Sequence, residues 1–122
     1  MIISFLSINK DNTKTAFRSE GKRIRNCIQF EDKSSPGTQI QLTLLKNSVL
    51  LERVGKIKMV MLFSAEKETN GFYVDEDGLE FDYSIRTSSV SIEENKIKVS
   101  YALYQDNEEV SATTFQVTFF QK

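Results

Sequence analysis

Apolar and polar residues alternate along almost the whole chain, and no stretch carries a sustained helical period of about 3.6 residues, so the sequence predicts strands from end to end. The predicted strands cover 2–8, 13–19, 23–31, 38–45, 49–54, 57–63, 72–75, 79–87, 96–104 and 110–120. The one helix-like piece, 64–68, is too short to matter. Turn residues separate the strands: Lys10-Asp11-Asn12, Glu20-Gly21, Ser34-Ser35-Pro36-Gly37, Lys46-Asn47-Ser48, Gly55-Lys56, Glu76-Asp77-Gly78 and Glu93-Glu94-Asn95. Alternation is cleanest where Leu79, Phe81, Tyr83 and Ile85 face away from Glu80, Asp82, Ser84 and Arg86. In 23–31 the same rule puts Ile24, Ile28 and Phe30 on one face, against Arg23, Arg25 and Gln29.

Strands that follow one another through short turns pair as an antiparallel meander. A sheet of about eight to ten short strands leaves two exposed edges unless it closes, and each strand has one consistently apolar face. The expected fold is therefore all-β, an antiparallel up-and-down barrel of the calycin or lipocalin type, occupying 1–122 as one domain.

The stretch 47–63 is the most apolar, yet it carries Glu52 and Arg53 at its centre. Alternation with Val49 and Leu51 points Arg53 into the barrel, where an unpaired guanidinium costs several kcal/mol. Backbone carbonyls, Glu31 or Asp75 are the expected partners, and the residue is either a plug at one barrel end or a ligand anchor. Tyr83, Thr87 and Tyr101 share the inward phase, as do the aromatics Phe30, Phe63, Phe72, Phe81, Phe115 and Phe119, which either fill the barrel or line a cavity. On the outward phase, Leu50, Val54, Val60 and Leu62 form an apolar patch that predicts a homodimer through this hairpin.

Composition removes chemistries. The chain has no histidine and a single cysteine, Cys27, which excludes Ser-His and Cys-His nucleophiles, His- or Cys-based zinc sites and an intrachain disulfide. The paired acids Glu31-Asp32, Glu76-Asp77 and Glu93-Glu94 fall in or beside turns, where exposed carboxylates are the rule, so no enzyme activity, metal or cofactor is expected. With 16 Lys+Arg against 17 Asp+Glu, a net charge of −1 gives no general bias toward nucleic acid or membranes, and neither is an expected partner. Lys14, Arg18, Lys22, Arg23 and Arg25 form at most a solvated basic face. The opening residues are too briefly apolar for a leader or a span, and a cytoplasmic setting is expected.

Over most of its length the sequence resembles the YwiB-like proteins, a bacterial family of unknown function with a calycin-like barrel. The resemblance rests on Arg53-Val54-Gly55, Lys58-Met59, Phe63, the Asp77-Gly78-Leu79-Glu80 turn, Thr87 and Ile97-Lys98-Val99-Ser100-Tyr101, with a chain shorter than usual and tighter loops. It implies a barrel and a bacterial context, and no catalytic residues. The function expected from the whole is non-enzymatic binding of a small apolar or amphipathic ligand inside the barrel, with Arg53, Tyr83, Thr87, Tyr101, Phe63 and Phe81 as the ligand-binding residues. The alternative is a filled barrel that works as a protein-interaction module through its outer apolar hairpin.

Overall fold

A computed structural model describes residues 1–120. Ten strands follow in order: β1 (Ile2–Asn9), β2 (Lys14–Ile24), β3 (Cys27–Glu31), β4 (Gln39–Leu45), β5 (Ser48–Val54), β6 (Lys58–Ser64), β7 (Thr69–Val74), β8 (Glu80–Ile92), β9 (Lys96–Gln105) and β10 (Glu108–Phe120). Each pairs antiparallel with its neighbours in sequence, and β1 pairs with both β2 and β10, so the meander closes into a barrel with no free edge. No helix occurs among the described residues, and 65–67 form a turn rather than the helix-like piece read from the sequence.

Strand direction gives the barrel two ends. The lower end carries the β2–β3, β4–β5, β6–β7 and β8–β9 turns, and the upper end the remaining connections. The lower half is solid: Ile3, Ile28, Leu42, Val49, Phe63, Ile85, Ile97, Val99 and Val117 are almost wholly buried. Burying such side chains contributes about 1.5–3 kcal/mol each, much of it offset by chain entropy.

Three expectations are corrected. The stretch 23–31 is not one strand but a tight hairpin, because Ile24 pairs with Cys27 across Arg25-Asn26 and Arg25 takes a positive φ of 58°. Arginine carries no turn signature, so alternation ran through the reversal and put Ile24 on the face of Ile28; in the structure Ile24 is 57% exposed. Conversely, Gly21 is no break. It stays in β2 opposite Phe30, where a Cβ would overlap Ile3 and lie 2.7 Å from the Gln29 carbonyl. Phe72 faces outward, opposite Val60, because β7 begins at Thr69 and its inward positions are Thr69, Gly71 and Tyr73.

Candidate functional site

The register sets one row of inward side chains across the upper half: Ile40 opposes Arg53, Arg53 opposes Met59, Met59 opposes Tyr73, and Tyr73 opposes Phe81. Beneath this row lies a cavity of about 190 Å³, lined by Phe5, Ser7, Thr15, Asp32, Ser34, Ile40, Leu51, Arg53, Met59, Tyr101 and Phe115. Its apolar wall is Phe5, Ile40, Leu51, Met59 and Phe115, and its polar wall comes from the hydroxyls and one ion pair.

That ion pair closes the upper end. Arg53 Nη2 lies 2.6 Å from Asp32 Oδ2, with the Asp32 side chain only 6% exposed and that of Arg53 26%. Asp32 opens the β3–β4 connection and also organises it: its Oδ1 accepts from the backbone N–H of Ser34 at 2.9 Å and from the Ser34 hydroxyl. The loop returns through hydrogen bonds from Asp32 N to Thr38 O and from Thr38 N to Ser35 O. Against Thr38 packs Gly55, where a Cβ would overlap the Thr38 hydroxyl and come within 3.1 Å of its Cα. Arg53 and Gly55 thus hold the same loop from two sides, one by charge and one by close approach.

The inward position of Arg53 matches the sequence reading, but its partner does not. Glu31 instead accepts from Lys33 Nζ at 2.7 Å, and Asp75 accepts from Asp77 N and Leu79 N to shape the β7–β8 turn. Asp32, expected to be an exposed turn acid, is the buried one. Strand alternation cannot place a loop side chain, and the only available signal was the need of a buried guanidinium for a carboxylate.

The other predicted ligand-binding residues divide. Tyr101 lines the cavity; burial pushes its phenol above the ordinary 10.0, partly opposed by a hydrogen bond with Thr113. Phe63 is fully buried and packs on Tyr101 with ring centroids 4.5 Å apart, so it forms core beneath the site. Tyr83 and Thr87 are not among the lining residues, although Thr87 opposes Tyr101 across the β8–β9 ladder. The Thr87 hydroxyl and Arg53 Nε are buried without a hydrogen-bond partner. Phe81 stands at the rim, 39% exposed, with its ring 5.9 Å from that of Tyr73. Phe5, absent from the predicted inward aromatics, stacks on Phe17 at 5.0 Å and reaches Phe30 and Phe115.

On the outer face Leu50 opposes Leu62, and Val60 opposes Phe72, all half-buried, while Val54 is 53% exposed at the upper rim. No cluster of three or more potential metal-binding side chains occurs among the described residues. None of their helices could cross a membrane, since there are none.

A closed antiparallel meander of ten strands with short turns is an up-and-down β-barrel. Within that class, the chain belongs to the family described as domain of unknown function DUF1934, whose model matches residues 3–117. A solved structure with the same fold is that of the ywiB protein from Bacillus subtilis, with a TM-score of 0.67, 18% identity, 98% of this chain and 91% of that chain covered. The search of curated proteins finds no match.

Proposed function

We propose that the protein is a non-enzymatic binder of a small, neutral amphipathic molecule held in the upper cavity of the barrel. The observation that carries this reading is the cavity itself, about 190 Å³ with one apolar and one polar wall, in a barrel whose lower half is solid. Apolar cavities of about 150 Å³ admit molecules the size of benzene, whereas drug-sized ligands occupy about 300 Å³ or more. The charge of the ligand follows from the ion pair: an anion entering near Arg53 also meets Asp32, and a cation near Asp32 also meets Arg53. A neutral polar head bonded to the hydroxyls of Ser7, Thr15 or Ser34, with a short apolar tail against Leu51 and Met59, avoids both costs. Binding rather than catalysis is favoured because the one carboxylate of the lining is already engaged by Arg53 and Ser34.

Titration with hexanol and with hexanoate, read on the methyl resonances of Leu51 and Met59, tests this. Hexanol is expected to shift them and hexanoate to do so more weakly, with the response of the Met59 methyl lost on filling the cavity by Leu51→Trp. Methyl signals indifferent to hexanol in the native protein would remove the proposal.

A second reading, self-association through the outer face of β5 and β6, rests on the apolar pairs Leu50–Leu62 and Val60–Phe72. Sedimentation velocity showing only monomer at high concentration rules it out.

A further inference from the structure

The corrected β2–β3 hairpin changes what the lower end presents to solvent. Its two-residue tip follows Lys22, Arg23 and Ile24, and all of Lys22, Arg23, Ile24 and Arg25 are exposed. The tip leans on the neighbouring β4–β5 turn: Asn26 Nδ2 donates to the Leu44 carbonyl at 3.0 Å, and Leu44 N donates to Asn26 O at 2.7 Å. That contact brings up Leu45, 44% exposed, and Lys46 beside it. Two exposed aliphatic side chains therefore sit among four cations, and none of the four takes part in the ion pairs found among the described residues. The adjoining turn between β6 and β7 carries Glu66, which accepts from Asn47 Nδ2 at 3.2 Å.

The upper end shows the opposite arrangement. Leu79, 59% exposed, and Phe81 also protrude there, but they are surrounded by Glu76, Asp77 and Glu80. The basic cluster is local to the β2–β3 and β4–β5 turns, because the other lower turns carry exposed acids, Glu66 and Glu68 between β6 and β7 and Glu93 and Glu94 between β8 and β9.

We propose that the β2–β3 and β4–β5 turns, one side of the lower end, form a docking surface for an anionic lipid bilayer, with Ile24 and Leu45 entering the headgroup layer and Lys22, Arg23, Arg25 and Lys46 meeting the lipid phosphates. Short aliphatic side chains ringed by basic ones suit such a surface, because each basic residue gains from the negative surface potential while the apolar tips leave water. Charge complementarity selects this side of the barrel, since the acids around Leu79, and Glu93 and Glu94 on the β8–β9 turn across the lower end, would be repelled by the same lipids. This inference stands apart from the interior cavity, which opens at the other end.

Co-sedimentation of the full chain with vesicles of phosphatidylcholine, alone and mixed with phosphatidylglycerol, is the test. Binding is expected only to the mixed vesicles, weakening as salt is raised. The pair Arg23→Glu and Arg25→Glu should lower the partition coefficient by more than about tenfold. Ile24→Ser with Leu45→Ser should lower it as well, whereas Leu79→Ser at the acidic end should leave it unchanged. All these positions are exposed, and circular dichroism checks that each variant is folded. Equal binding to neutral vesicles, failure to bind mixed vesicles, or retention on heparin without binding to vesicles overturns the proposal.

Discussion

Arg53 and Asp32 meet at 2.6 Å inside the upper end of the barrel and tie strand β5 to the β3–β4 connection. Removing one partner strands the other. Arg53→Met leaves the Asp32 carboxylate, 6% exposed, without its countercharge, and should destabilise the protein by about 2–4 kcal/mol in urea unfolding. Adding Asp32→Asn to that variant should recover part of the loss, giving a coupling of about 1–3 kcal/mol.

Gly55 lies against Thr38 with no room for a side chain. A methyl group there collides with the Thr38 hydroxyl and crowds its Cα, so Gly55→Ala should cost about 1–3 kcal/mol in thermal or urea unfolding. Thr38→Ala in the same chain should restore only part of it, since the clash with the Cα remains.

The Thr87 hydroxyl is buried without a partner. Thr87→Val keeps the shape and removes the unsatisfied group, so it should be neutral or stabilising by up to about 1 kcal/mol. A clear loss of stability in urea unfolding would show that this hydroxyl has a partner in solution.

Tyr101 should give the stability an alkaline limit. Its folded pKa is raised above 10.0 by burial, so the native state holds this proton more tightly than the unfolded chain. The associated stability is complete below the unfolded pKa and is lost as the pH rises through the folded one. Tyr101→Phe should flatten that alkaline decline in unfolding curves measured across this range.

Glu31 acts in the opposite direction. Its hydrogen bond from Lys33, followed by that from the Gly37 N–H, holds its carboxyl below the ordinary 4.5. Stability from this group is present above that value and declines as acid takes the pH down through the folded pKa. Glu31→Gln should reduce the acid-side slope of stability, and the change should shrink in high salt because the pair is exposed.

Much of the architecture was written in the alternation of side chains. The sequence itself determined the all-β class, the sequential antiparallel pairing of its strands, though not whether they number eight or ten, and the inward phase of Arg53, Phe63 and Tyr101, because a period of two is a local property that survives into the sheet. The site was less legible. Asp32 lies in a loop, where no period applies, and its burial follows from the loop folding back across the barrel end. Phe72 and Ile24 were placed on the wrong face because a misplaced strand start, or a turn without glycine, reverses the phase of the residues on one side of it. Tertiary structure alone decided that the barrel is filled below and open above, since a cavity depends on which inward rows meet across the closed sheet. It also decided the basic cluster on one side of the lower end, because the pairing of β3 with β4 sets the β2–β3 tip beside the β4–β5 turn.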